Sequence, residues 1–169
     1  MSRYLFDENN LYKKVIILLS IINASKENHY LLNPYEQNRE ITTIFYYEWG
    51  IIQDSLINLA IQFRLIDDLF SREKKTYKLP YPSVGYMATN ETSVDLSFRE
   101  SCNKIVHAEK FEPVFDGENL NYSNQIILEG KKGNTSWKVN INIQEFCISA
   151  LALIQQYEDD GDISSRTRG

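Results

Sequence analysis

From about Glu36 to Phe70 the chain runs without a proline and carries apolar residues at helical spacing on two stripes. Ile52, Leu56, Leu59, Phe63 and Ile66 trace one of them. Ile44, Tyr47, Ile51, Ser55, Asn58, Gln62 and Leu65 trace the other, which turns polar in its second half. A helical period held over this length argues against a strand and calls for a long central helix, packed on more than one side over part of its length. Gly50 is the one interruption, a residue that costs about 1 kcal/mol relative to alanine or marks close packing or a kink. Arg64 and Asp68 stand four apart on its last turns, a spacing that permits a side-chain pair.

Three more helices are expected around it. The first spans about Asp7 to Ala24, with Leu11, Val15, Leu18, Leu19 and Ile22 on a broad apolar face. Another starts near Thr92, where Thr92 and Asp95 resemble a capping box, and buries Val94, Phe98, Cys102 and Ile105 before ending near His107-Ala108, with Pro113 beyond. The last begins at Asn142, capped by that residue with Glu145 reaching back, and buries Ile143, Cys147, Ala150, Leu151 and Ile154. Gly161 ends it, leaving a polar tail. Between Ser71 and Thr89 the cluster Arg72, Lys74, Lys75 and Lys78 and the string from Leu79 to Gly85, with two prolines, read as a solvated connector.

The period changes to two after Pro113. Gln125–Gly130 and Thr135–Ile143 read as strands around Gly130-Lys131-Lys132-Gly133-Asn134, a five-residue hairpin connection. Trp137, Val139 and Ile141 alternate with Ser136, Lys138 and Asn140, so the ribbon has one apolar face to cover. The expected fold is mainly α: a bundle of four to five helices with a β-hairpin inserted before the last helix. One domain covers 1–161, with the hairpin at about 122–142 and a flexible tail at 162–169.

Charge and composition narrow the function. The 169 residues carry 18 Lys and Arg against 23 Asp and Glu, a net charge of -5, which disfavours wholesale coating of nucleic acid or anionic membrane but leaves room for a local basic patch. The most apolar run, Val15 to Ile22, is too short to span a bilayer, and the first ten residues lack the pattern of a secretory signal, so a cytoplasmic protein is expected. Cys102 and Cys147 are expected as buried free thiols, with a bridge between packed helices as the alternative. Two histidines, His29 and His107, and two scattered cysteines give no metal-ligand spacing, and no glycine-rich phosphate loop or nucleophile elbow is present, so neither metal nor cofactor is expected.

One constellation carries possible chemistry. Arg99, Asn103 and His107 recur every four residues and form a polar stripe beside the Phe98/Cys102/Ile105 seam. Asn103-Lys104-Ile105-Val106-His107 near a helix end resembles the active-site region of the HEPN superfamily, in which an Arg, usually with a polar residue next to it, is followed by a His after four to six intervening residues. Asn103 and His107 match that pattern. Cys102 stands where the family's Arg is expected, and seven residues separate Arg99 from His107. The resemblance implies a small helical bundle, often dimeric, and in many members a metal-independent endoribonuclease of toxin–antitoxin and defence systems. In such an enzyme the RNA's own 2′-hydroxyl would be the nucleophile, His107 would move the proton, Arg99 would stabilise phosphoryl charge and Asn103 would orient His107 or a phosphate oxygen. The stripe also has a purely structural account: His107 complements the negative end of a helix, Asn103 caps or faces solvent, and Arg99 pairs with Asp67, Asp68 or Asp95.

Lys131 and Lys132 in the hairpin turn are candidate RNA contacts, although a charged turn also keeps a ribbon soluble. The expectation is a HEPN-like interaction or regulatory protein of a bacterial stress or defence module. It would be a homodimer through the second or third helix, with a toxin–antitoxin or defence protein and RNA as possible partners. The alternatives are an active endoribonuclease and a small-ligand-binding bundle.

Overall fold

A computed structural model describes residues 8–31, 40–88, 92–116 and 121–166. The long proline-free stretch forms α2 (Glu40–Arg72), preceded by α1 (Glu8–Leu31). Ile52, Leu56, Leu59, Phe63 and Ile66 are all buried, so the more apolar stripe is the face that α2 turns to the core. Leu11, Val15, Leu18 and Ile22 of α1 join the same core, as do Ile143, Cys147, Ala150 and Ile154 of α4 (Ile143–Arg166). That last helix continues past Gly161 to Arg166, into the tail expected at 162–169, of which 167–169 lie outside the described residues, as does the stretch 32–39 before α2.

The mainly-α expectation is overturned by the sheet. Among the described residues, four helices accompany β1 (Gly85–Ala88), β2 (Ser93–Leu96), β3 (Lys110–Asp116), β4 (Asn121–Lys132) and β5 (Thr135–Asn142), which form one antiparallel sheet in the order β2-β1-β5-β4-β3. The fold is α/β, with helices packed on one face of that sheet. The expected hairpin is its β4–β5 pair, but its turn is tighter than expected. Lys132 pairs with Thr135, leaving Gly133-Asn134 as a two-residue connection in which Gly133 takes φ +62°. A two-residue turn with the first central residue at positive φ suits glycine.

Local features hid the three other strands. β1 and β2 are four residues each, too short for alternation to stand out against the prolines before them. β3 contains Pro113, read from sequence as a residue beyond a helix end. Pro113 lies on the sheet's edge, where a missing N–H costs no ladder bond, and the register shifts between Pro113 and Phe115. A third helix beginning at Thr92 is likewise corrected. Residues 93–96 are strand, and α3 runs Phe98–Val106.

Ile126 and Leu128 of β4 and Val139 and Ile141 of β5 are buried under α1 and α4. The opposite face of the sheet is polar: Lys138 pairs with Glu129 at 2.7 Å and lies 3.7 Å from Glu112, which is also bonded to Lys110, while Asn140 donates to Gln125 at 2.8 Å. Such a one-sided antiparallel sheet keeps its outer face in water. No helix among the described residues is long and apolar enough to cross a membrane.

Candidate functional site

Ser97 caps α3. Its Oγ accepts from the backbone N–H of Glu100 at 3.3 Å, and the Glu100 carboxylate accepts from the Ser97 backbone N–H at 3.0 Å and from its hydroxyl at 2.7 Å. These bonds hold the Glu100 carboxyl below its ordinary pKa, the hydroxyl contributing most and the backbone N–H next. The cap fixes where α3 starts, and with it the rotation that sends Phe98, Ser101, Cys102 and Ile105 into the core.

Arg99 follows one residue into the helix and is drawn to the end of α2. Its guanidinium is ion-paired with Asp67 and lies 2.8 Å from Asp68. Asp67 is buried, and its other oxygen accepts from the Tyr77 hydroxyl at 2.5 Å. Arg99 therefore clasps α3 to α2 and the segment after it, the structural account of this residue with two of its three candidate partners chosen. The Tyr77 phenol is raised above its ordinary pKa, mainly by burial and secondarily by the neighbouring Cys102 thiol. Asn103 is half-buried in mid-helix, and His107 is the exposed C-cap residue, its backbone N–H donating to the Asn103 carbonyl while that of Ala108 donates to the Ile105 carbonyl. Neither the Asn103 nor the His107 side chain has a hydrogen-bond or ion-pair partner among the described residues. Arg99 and His107 stand at opposite ends of a nine-residue helix. The three residues are not gathered into one site.

A second group does converge, where the end of α3 meets the β4–β5 hairpin. Gly130 lies directly across from Trp137, and a Cβ there would collide with the Trp137 ring and lie 2.9 Å from the His107 carbonyl oxygen. Glycine lets both the ring and the helix end close over the strand. Lys104, on the last turn of α3, places its ammonium 4.1 Å from the centre of the Trp137 ring, within cation–π range. The ring and hairpin border an open cleft of about 1030 Å³ whose walls include Met87, Lys104, Lys131, Lys132 and Lys138. Partial burial lowers the pKa of Lys104, the charge of Lys132 lowers it further, and Glu100 opposes both. Lys138 is committed to Glu129 and Glu112, whereas Lys131 and Lys132 are exposed and without an ion pair among the described residues. Glu109 and Glu129 mark the acidic side of the cleft.

Lys131, Lys132 and the backbone of His107 thus share one end of the molecule, and Arg99 lies at the other end of α3. Sequence reasoning did not single out Lys104, named only within the Asn103–His107 string, or Met87, which fell in the expected connector. It gave Trp137 to the apolar face of the ribbon. The usable clue was symmetry about the turn: once Gly133-Asn134 is the connection, Gly130 and Trp137 become cross-strand partners.

Among the described residues no group of three or more His, Cys, Asp or Glu side chains is arranged to hold a metal ion. The chain matches no protein-family model, no curated protein and no solved structure.

Proposed function

We propose that this protein works by binding and not by catalysis: a cytoplasmic interaction or regulatory component whose hairpin end takes hold of RNA phosphates. The observation that carries this reading is the cleft beside Trp137, where the Lys104 ammonium is fixed on the ring next to the unpaired Lys131 and Lys132. Burial and the neighbouring Lys132 make Lys104 costlier to charge, a cost that a bound polyanion relieves, so the local patch prevails over the net charge of -5. A role in a bacterial stress or defence module rests on the resemblance of Asn103 and His107 to the HEPN pattern. The helical-bundle plan that accompanied it is replaced by the α/β fold.

Fluorescence anisotropy with a labelled single-stranded RNA tests the reading. Lys131→Ala/Lys132→Ala should weaken binding and flatten the plot of log K against log salt by about 1.4, near 0.7 for each lost phosphate contact. A Lys74→Ala control, outside the cleft, should leave binding unchanged. RNA affinity indifferent to the hairpin lysines would refute the assignment.

The endoribonuclease reading keeps one observation in its favour: exposed His107 adjoins Gly130 at the edge of this cleft. It requires Arg99 to leave Asp67 and Asp68, or another cation to serve. Incubation with RNA in EDTA beside His107→Ala decides it, with cleavage in the parent protein alone supporting catalysis.

A further inference from the structure

One face of α2 that shares Tyr47, Ile51, Asn58 and Leu65 with the second stripe is turned away from the core, although Ser55 of that stripe is buried. Tyr47 is 73% exposed, Ile51 46%, Ile61 42% and Leu65 45%, all on the side of the helix away from Leu56, Leu59 and Phe63. With Asp54 and Asn58 these residues follow spacings of four, three, four, three and four, the a/d seam of a coiled coil sustained for about 27 Å. The remaining surface of a helix in a folded domain is ordinarily polar, so four large exposed apolar side chains in one seam call for a partner.

The order of residues along the seam identifies the partner. Tyr47 and Leu65, Ile51 and Ile61, and Asp54 and Asn58 form three pairs sharing one midpoint, at Leu56. A seam of this kind is complementary to itself when reversed. A twofold axis through that midpoint brings each residue of one copy against its pair in the other: aromatic on aliphatic, aliphatic on aliphatic, carboxylate on amide. An isologous interface requires just this self-complementarity, and in antiparallel coiled coils the a positions of one helix meet the d positions of the other.

We infer that α2 pairs with α2 of a second copy of this chain, antiparallel, through the seam Tyr47/Ile51/Asp54/Asn58/Ile61/Leu65. The polar centre sets the register. Asn58 already donates to Asp54 Oδ1 at 3.0 Å within one chain and to its backbone carbonyl at 2.8 Å; in the dimer the amide can turn to the partner's Asp54. Lys14 of α1, 3.5 Å from Asp54, supplies the countercharge that a carboxylate needs when another helix covers it. A shift by one heptad would set apolar residues against the Asp54/Asn58 layer, so the central pair disfavours other registers.

The test uses the full chain and three measurements. Sedimentation equilibrium should give a dimer at tens of micromolar. Ile61→Asp, or Tyr47→Lys at the most exposed position of the seam, should weaken it ~10-fold or more while the far-UV circular dichroism is kept. Orientation is read by oxidative cross-linking. The double variant Ile51→Cys/Ile61→Cys should yield a linked dimer and Ile51→Cys alone should not, because the two copies of that position lie about 15 Å apart along the axis. A chain that stays monomeric, whether its seam is bare or covered by its own residues, overturns the inference. So does a dimer indifferent to both substitutions, or one cross-linked by Ile51→Cys alone.

Discussion

Two glycines inside regular elements have opposite reasons for being there. A Cβ built at Gly50, in the middle of α2, meets nothing within 4 Å, and the position is exposed. The sequence allowed either a helix penalty or close packing at this residue, and the penalty remains. Gly50→Ala should therefore raise stability by about 0.5–1 kcal/mol, read as a higher denaturation midpoint with an unchanged m-value. A loss of stability would mean that alanine meets a constraint here. At Gly130 the same substitution collides with the Trp137 ring and the end of α3. Arg99 was equally ambiguous from the sequence, with three acids at plausible spacing. Only the packing of α3 against α2 selects Asp67 and Asp68 over the i-4 neighbour Asp95.

At the scale of elements, α3 shows how a correct principle can be applied in the wrong place. Thr92 with Asp95 and Ser97 with Glu100 both have capping-box spacing, and Val94 extends the Phe98/Cys102 spacing one turn backward. The second pair is the cap, and Val94 is an exposed strand residue. Glutamate spans to the N-cap backbone where aspartate is one carbon shorter, and residues 93–96 have a better alternative in pairing with β1. Ser97→Ala should cost about 1 kcal/mol. Because Glu100 has a lowered pKa when folded, its contribution is complete above the ordinary glutamate value of 4.5 and is lost as pH falls through the lowered one. The gap between parent and Ser97→Ala should narrow on acidification below about pH 4.5, as followed by urea melts at stepped pH. A gap constant from pH 7 to 3 would assign the effect to the hydroxyl alone.

Across the whole molecule, one core joins the helices to the inner face of the sheet, and both cysteines lie within it. Burial raises both thiols, Cys147 up to about 12, and no bridge joins them. A thiol reagent should react with either only as fast as the domain opens, so the labelling rate should rise with urea in step with global unfolding. Rapid labelling of the native protein would contradict a continuous core.

The sequence by itself determined the long helix, the face it buries, the stripe along α4, the β4–β5 ribbon and the burial of both thiols. Each follows from a period repeated within one segment, and periodic burial depends on neighbours a few residues away. Tertiary structure alone decided that the ribbon is the centre of a sheet. β1 finds β5 more than fifty residues later, and β3 carries a proline that only an edge position tolerates. It likewise decided that Arg99 serves the core, while Lys104, Trp137 and the hairpin lysines meet in a cleft. Strand pairing and side-chain convergence are contacts between distant segments, and no local period encodes which segments will meet.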